Sequence, residues 1–165
     1  MSRKHSAWVA LSVLLLDQIT KAIVAANLPL HGSVMVIQGF FRITHEQNQG
    51  AAFSLFANWH SHYRTGLLAG LSILAVGTIT LLLWKQVPAR HGPRRLGSTL
   101  ALSLILGGAM GNLTDRLLAG RVTDFLEFYL GSHIWPDFNV ADSAIVTGAL
   151  LLLAGIIFQD TRARS

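Results

Sequence analysis

Four long apolar runs constrain this chain more than any other feature. The chain has 165 residues, of which 52% are hydrophobic and 13% are charged, a composition too apolar for an ordinary soluble domain. Each run is near the ~20 residues that a helix needs to cross a hydrocarbon core of ~30 Å. We predict an all-α polytopic membrane protein, folded as one membrane domain over residues 1–165. The four predicted transmembrane helices are residues 7–26, 65–85, 96–113 and 139–158.

Basic residues beside these runs predict the orientation of the chain. Arg3 and Lys4 precede the first span, Arg162 and Arg164 follow the fourth, and further basic residues lie between the second and third. The positive-inside rule therefore places both termini and the middle loop in the cytoplasm. The net charge of +5 is explained by these flanking residues, and no nucleic-acid partner is expected. The predicted outer loops are residues 27–64 and 114–138.

A cleaved secretory signal peptide is the alternative interpretation of the N-terminus. Basic residues followed by an apolar run resemble such a peptide, and residues 24–26 resemble a cleavage site. Asp17, Gln18 and Lys21 interrupt the apolar run, which favours a retained first span.

Both outer loops contain residues that favour local structure. In the first loop, residues 34–37 and 40–44 are β-prone and are separated by Gln38-Gly39, a plausible turn. We therefore expect a small extracytoplasmic β-hairpin or sheet between the first and second helices. In the second loop, residues 117–129 mix charged and apolar side chains, as in an amphipathic segment that lies in the membrane interface.

Charged residues near the spans gather toward the outer leaflet. Asp17 and Lys21 lie in the middle to outer half of the first span, four residues apart on one helix face. Ionisable groups at this depth are costly and tend to be functional. The other polar residues lie at the outer end of the third span, in the loop after it, or at the start of the fourth: Asn112, Asp115, Arg116, Asp124, Asn139 and Asp142.

Two aspartates brought together here have the chemistry to hydrolyse a peptide bond. Neighbouring carboxyls share a proton, because both cannot ionise cheaply side by side. One then removes a proton from water while the other donates a proton to the carbonyl or the leaving amine. This chemistry needs no metal, cofactor or nucleophilic side chain. The chain has no cysteine, so thiol catalysis is excluded.

The same residues also have structural interpretations. Asn139 followed by Asp142 has the spacing of a helix N-cap with an acid at the third helical position, and such a cap can coexist with a catalytic role. Asp17 with Lys21 favours a buried stabilising pair, and Asp115 favours a structural pairing role.

The remaining motifs favour packing or solvation. The spacing of Gly107 and Gly111 is typical of a helix-packing surface. The outer histidines do not have the close spacing typical of metal ligands, so we expect them to be solvated. We expect the same of two acids in the second loop. These residues are His31, His45, His60, His62, His133, Glu127 and Asp137.

Five segments together carry a specific pattern. They are Asp17-Gln18-Ile19-Thr20-Lys21, Asn48-Gln49-Gly50-Ala51-Ala52-Phe53-Ser54, Gly111-Asn112-Leu113-Thr114-Asp115-Arg116, Val122-Thr123-Asp124-Phe125 and Phe138-Asn139-Val140-Ala141-Asp142. In this order, on a four-span chain of this size, they resemble lipoprotein signal peptidase, also called signal peptidase II, of bacteria. Thr123 is a small departure, at a position where the family more often has an apolar residue.

The resemblance implies an intramembrane aspartic endopeptidase. Its substrates are prolipoproteins that carry a diacylglyceryl group, and it cuts on the amino side of the lipidated cysteine. The implied catalytic pair is Asp124 and Asp142. The other matched positions are implied to support the site or hold the substrate: Asp17, Lys21, Asn48, Gly50, Asn112, Asp115, Arg116 and Asn139.

The resemblance also implies the setting of the enzyme. It implies a bacterial cytoplasmic (inner) membrane location, membrane lipid as a partner, inhibition by the cyclic peptide globomycin, and an outer sheet that forms a cradle for the substrate. A monomer suffices for the chemistry.

Two alternative functions come from other classes. A proton-coupled or ion-coupled transporter would use Asp17, Lys21, Asp115 and Asp142 as its relay, but the charges do not continue inward and no inverted repeat is obvious. A non-catalytic scaffold would use the glycine surface, and it gives no reason for two outer aspartates. An assay of proton or ion flux in liposomes, compared with an assay of peptide cleavage, distinguishes a transporter or a scaffold from a peptidase.

Overall fold

Four long helices and four strands make up the described part of the chain. The computed structural model describes residues 1–49, 61–86 and 93–163. The helices are α1 (Arg3–Asn27), α2 (Ser61–Gln86), α3 (Pro93–Ala119) and α4 (Val140–Ala163), and the strands are β1 (Ser33–Ile37), β2 (Phe41–Asn48), β3 (Val122–Leu130) and β4 (His133–Ile134). Each predicted span falls on one of these helices.

Three of the described helices are long and apolar enough to cross a membrane: α1, residues 65–85 of α2 and residues 140–157 of α4. Large apolar side chains on them face outward, such as Leu74 at 66% and Leu150 at 60% exposure. Helix α3 is more polar and does not meet this criterion, but it lies centrally and contacts α1, α2 and α4. The bundle thus presents an apolar exterior and keeps its polar residues near α3.

Glycines of α3 allow the neighbouring helices to approach closely. A Cβ atom on Gly107 would lie 2.5 Å from the carbonyl oxygen of Ala10 in α1. A Cβ atom on Gly108 would lie 2.3 Å from the carbonyl oxygen of Ala141 in α4. The predicted packing role of the glycine motif is therefore confirmed, and it brings α1 and α4 against the same stretch of α3.

The sheet is antiparallel with the order β1-β2-β3-β4. Its first two strands form the predicted hairpin, and Gly39 takes a positive φ of 78° in the turn. The expectation of an amphipathic interface segment over residues 117–129 is wrong from Val122 onward, because this stretch pairs its backbone with β2. The sheet is consequently built from both loops, and not only from the loop between α1 and α2.

Stacked aromatic rings hold the sheet to the segment that leads into α4. The ring of Phe128 in β3 lies 4.9 Å from that of Phe41, 5.1 Å from that of Phe40 and 5.8 Å from that of Phe138. The pairing therefore fixes β3 between the hairpin and the start of α4, where most of the predicted site residues lie.

Candidate active site

The predicted site residues converge where α1, α3, β2, β3 and the first turn of α4 meet. Hydrogen bonds and ion pairs connect them into one network. Gly50 is the exception, since it lies outside the described residues together with Ala51 and Ala52. The residues brought together are Asp17, Lys21, Asn48, Asn112, Asp115, Arg116, Asp124, Asn139 and Asp142.

The ammonium group of Lys21 is buried at the bottom of the site. The Nζ atom of Lys21 lies 2.8 Å from Asp17 Oδ2, 2.8 Å from Asp115 Oδ2 and 3.1 Å from Asn112 Oδ1. Asp17 is fully buried and Lys21 is 5% exposed. Buried charges persist only when they are paired and hydrogen-bonded, as these are. The predicted Asp17–Lys21 pair and the predicted pairing role of Asp115 are confirmed.

Asp17 also holds the first turn of α4. Its Oδ1 atom accepts a hydrogen bond from the backbone N–H of Ala141 at 2.9 Å. A carboxylate is favoured there because the free amides of a helix N-terminus carry partial positive charge. A Cβ atom on Gly111 would lie 2.5 Å from Asp17 Oδ2, so this position requires glycine. The arrangement ties α1, α3 and α4 together immediately below the aspartates.

Two asparagines link Asp124 to Asp142. Asn139 Nδ2 donates to Asp124 Oδ1 at 2.7 Å and to Asn112 Oδ1 at 3.2 Å. Asn112 Nδ2 in turn donates to Asp142 Oδ1 at 2.8 Å. Asn48 Nδ2 donates to the other oxygen of Asp124 at 3.1 Å. We call Asn112 and Asn139 the amide relay, since this pair orients both carboxyl groups.

The capping interpretation of Asp142 is confirmed as well. The backbone N–H of Asp142 donates to Asn139 Oδ1 at 2.9 Å, and the backbone N–H of Asn139 donates to Asp142 Oδ2 at 3.3 Å. This reciprocal pair is a capping box. Because the other carboxyl oxygen accepts from Asn112, the cap fixes the position of the side chain within the site. Capping and a role in the site thus coexist in one residue.

The environment of Asp124 favours its protonated form. Burial, followed by the negative charge of Asp142, raises the pKa of Asp124 to about 7, against the lowering effect of hydrogen bonds from Asn48 and Asn139 and of the charge of Lys21. A proton is consequently available between the two carboxyls near neutral pH. This is the electrostatic condition for acid and base to act in one pair.

Arg116 adds a positive charge beside the aspartates. Its Nη1 atom donates to the backbone carbonyl of Asn112 at 3.2 Å, while Asp115 pairs with Lys21. Guanidinium N–H groups not used in this bond are suited to hydrogen-bond a carbonyl oxygen.

Two contributors to the site, Gln18 and Thr123, were not assigned to it from the sequence. Gln18 Nε2 donates to Asp115 Oδ1 at 2.9 Å and to Asp17 Oδ2 at 3.2 Å, and its place three residues before Lys21 was the available signal. Thr123 contributes backbone only: its N–H donates to Asp115 and its carbonyl accepts from Asn139. A change of side chain at Thr123 therefore leaves these contacts in place.

The solvated assignment of the outer polar residues is partly wrong. His45 is buried, with Nδ1 2.9 Å from the carbonyl oxygen of Leu28, because β2 packs against the end of α1. Glu127 is buried and pairs with Arg42 on the adjacent strand. Asp137 is half-buried.

The other histidines do not contradict the expectation that they are solvated. His31 is exposed and lies 2.8 Å from a carboxylate oxygen of Glu46, and His133 is exposed. The side chains of His60 and His62 lie outside the described residues. Across the described ranges, histidines and acids form no group of three or more suited to a metal ion.

The fold is that of a helical protein with an apolar, membrane-compatible exterior. Its site contains two carboxyl groups, those of Asp124 and Asp142, connected by asparagine side chains. A family model described as signal peptidase (SPase) II matches residues 9–158. The chain belongs to this family, and it is therefore a peptidase that hydrolyses peptide bonds. The resemblance recognised in the sequence is confirmed.

Individual relatives agree with this assignment over nearly the whole chain. A lipoprotein signal peptidase of Desulforapulum autotrophicum is 44% identical over 151 residues, which cover 92% of this chain and 90% of the relative. Another, of Geobacter sulfurreducens, is 41% identical and covers 93% of this chain and 92% of its own. A solved bacterial membrane enzyme superposes with a TM-score of 0.82 at 28% identity, covering 99% of this chain and 93% of its own.

Proposed function

We propose that this peptidase removes signal peptides from diacylglyceryl-modified prolipoproteins and that Asp124 and Asp142 are its catalytic pair. The amide relay is the observation that carries the assignment, because it connects these two carboxyls to each other. Asp17 and Asp115 are each in an ion pair with Lys21. Among the described residues, Asp124 and Asp142 form no such ion pair, so their carboxyls remain available for proton transfer.

Hydrolysis follows from one proton shared by the pair. The ionised carboxyl removes a proton from a water molecule as its oxygen attacks the scissile carbonyl carbon, and the protonated carboxyl donates its proton to the carbonyl oxygen. Collapse of the tetrahedral intermediate breaks the C–N bond, and the amine leaves with a proton from the carboxyl that had accepted the proton of water. The second carboxyl recovers its proton from the intermediate, so the pair ends as it began.

The supporting residues orient both partners in this reaction. Asn48 and Asn139 hold the two oxygens of Asp124, while Asn112 and the backbone of Asn139 hold those of Asp142. Arg116 is placed to hydrogen-bond a substrate carbonyl. We assign to Gly50 close approach of the substrate backbone, since glycine offers no side chain there.

The substrate class follows from the depth of the site. The relatives are named lipoprotein signal peptidases. A diacylglyceryl cysteine keeps its acyl chains in the lipid, so the bond on its amino side lies near the headgroups. Asp124 in β3 and Asp142 in the first turn of α4 would lie at this depth in the orientation proposed below. Membrane lipid is thus a partner, and a globomycin-type cyclic peptide inhibitor is expected to occupy the same site.

The orientation of the bundle completes the proposal. We place all four helices across the bacterial inner membrane, with α3 at the centre of the bundle. Both termini then lie in the cytoplasm and the sheet lies outside. The basic residues at the inner ends of the helices and the contacts of α3 with the other helices support this placement. All proposed catalytic and supporting residues come from one chain, so we propose that a monomer is active.

Cleavage of a prolipoprotein with and without its diacylglyceryl group tests the proposal. We expect wild-type protein in lipid to process only the lipidated form, and Asp124→Asn and Asp142→Asn to lose at least about 10³-fold in rate, as expected when an acid–base partner is removed. Asp160→Asn, the same type of substitution near the C-terminal end of α4, is expected to keep normal turnover.

Three results would overturn the proposal: near-normal turnover by either aspartate variant, equal cleavage of both substrate forms, or no cleavage by folded wild type. In the last case, proton or ion flux in liposomes would identify the transporter alternative.

A further inference from the structure

A short segment before α4 connects the strand that carries Asp124 to the cap residue Asn139. We call residues 135–138 the strap. The carbonyl oxygen of Phe138 accepts from the N–H groups of Phe125 at 3.0 Å and Leu126 at 2.8 Å, and its own N–H donates to the Leu126 carbonyl at 3.1 Å. The strap is therefore fixed to β3 one residue after Asp124 and ends one residue before Asn139. Movement of the strap would move the amide that orients Asp124.

Side chains hold the strap on both faces of the sheet. On one face, the ring of Phe138 stacks on that of Phe128. On the other, the half-buried carboxyl of Asp137 lies beside that of Glu127, which is 6% exposed and pairs with Arg42. Two carboxyls thus face one guanidinium, and one negative charge is left over unless a proton is shared.

The groups around Asp137 favour a proton there. Burial, followed by the charge of Glu127 and a hydrogen bond with it, raises the pKa of Asp137 to about 6, and Glu46 raises it further while Thr44 lowers it. Arg42 faces both acids, and its hydrogen bond to Glu127 raises its own pKa. These groups come from β3, which is hydrogen-bonded to the strap, and from β2, the next strand of the sheet.

We propose that Asp137 is a positioning residue for the aspartate pair: protonated, it hydrogen-bonds Glu127 and holds the strap on β3, and ionised, it repels Glu127 and loosens the strap. Loosening moves Asn139 relative to Asp124. The effect on cleavage rests on the proposed function, whereas the effect on the strap does not.

Backbone hydrogen exchange tests the strap without catalysis. It is measured in an Asp124→Asn background in lipid, on peptides covering Phe125, Leu126 and Phe138, at pH 5 and pH 8 after correction for intrinsic exchange. We expect protection to fall about tenfold between the two pH values when Asp137 is present, corresponding to about one pKa unit of coupling. Asp137→Asn keeps a donor and removes the charge, so its protection is expected to stay constant.

Glu127→Gln is the second variant, because it removes the repulsion from the other side. It is expected to flatten the same pH dependence, provided that far-ultraviolet circular dichroism shows normal helix content. Wild-type pH dependence in both Asp137→Asn and Glu127→Gln would overturn the proposal.

Turnover with lipidated prolipoprotein gives the catalytic readout. Asp137→Asn in otherwise wild-type protein is expected to extend activity to higher pH through kcat, with KM unchanged, while Asp137→Ala lowers kcat at all pH values. An unchanged pH profile of kcat in Asp137→Asn would overturn the positioning role. Absent cleavage by every variant, with the exchange result as expected, would refute the proposed function and leave the strap intact.

Discussion

One buried side chain, that of Asn139, serves both aspartates. Its amide nitrogen donates to Asp124, to Asn112 and to the backbone carbonyl of Thr123, and its oxygen accepts from the backbone of Asp142. It is fully buried. Only a side chain with donors and an acceptor on one short planar group can make all these contacts, which is why aspartate or serine cannot replace it fully.

Replacing Asn139 separates capping from the orientation of Asp124. Asn139→Ser keeps a hydroxyl that caps α4 but loses the amide donor to Asp124 and to Asn112. We therefore expect a loss of about 1 to 3 kcal/mol in stability from the buried acceptors left unpaired, and a kcat lower by about 10- to 100-fold. Asn139→Ala loses the cap as well, which costs about 1 kcal/mol more. Thermal unfolding and turnover of both variants give the comparison, and full activity of the serine variant would contradict the amide relay.

The pKa of Asp124 also makes a prediction about stability. Because the folded-state pKa is raised from 3.8 to about 7, the folded protein binds more protons than the unfolded chain between these values. The contribution of this residue to the free energy of unfolding is therefore greatest below about pH 4. It falls as the pH rises and levels off above about pH 7, and the total fall is up to about 4 kcal/mol.

Asp124→Asn is expected to remove part of that decline. The thermal midpoint of the wild type in mild detergent falls from pH 5 to pH 8, and the midpoint of the variant falls less. Asp160→Asn, the same type of substitution near the C-terminal end of α4, is the control and keeps the wild-type slope. Equal slopes in Asp124→Asn and wild type would show that Asp124 is not protonated in the folded protein at pH 5.

Among the elements, α3 organises the bundle through its glycines. Gly108→Ala places a Cβ atom against the backbone of Ala141, where nothing can move cheaply, so we expect a loss of about 1 to 3 kcal/mol and displacement of α4 from the site. Gly77→Ala in α2 is the matched control, since no atom of the described residues lies within 4 Å of its Cβ position. The test compares midpoints of unfolding and kcat, and equal behaviour of both variants would contradict close packing of α3 on α4.

The same elements show what sequence can predict. Apolar runs give the helices, the turn at Gln38-Gly39 gives the first hairpin, and spacings of three or four residues give the Asp17–Lys21 pair and the cap before α4, because all are local patterns. The place of β3 depends on pairing with β2, more than 70 residues earlier in the chain. Contacts that depend on this register, such as that of Arg42 with Glu127, have no local signal.

At the scale of the whole molecule, the polar network of the described residues lies at one end of an apolar bundle. Helix α1 has 25 residues, about 37 Å at 1.5 Å per residue, and it separates Ser2 from the sheet. The network occupies the end near the sheet, where Asn48 and Asp124 meet. Such an arrangement suits a site at one membrane surface better than a path across the membrane, since a path needs polar groups on both sides of the midplane.

The proposed orientation has a direct test because the chain contains no cysteine. Single cysteines replace Ser2, the N-cap of α1 at its proposed inner end, and Ser33 and Ser132, which are exposed at β1 and beside β4. A maleimide that cannot cross membranes is expected to label Ser33→Cys and Ser132→Cys in intact spheroplasts, and Ser2→Cys only after lysis, because basic flanks retain the N-terminus inside. Each variant must retain turnover to count. Labelling of Ser2→Cys in intact spheroplasts would show that the proposed topology is inverted. The aspartates would then lie at the inner leaflet, where exported prolipoproteins are not processed.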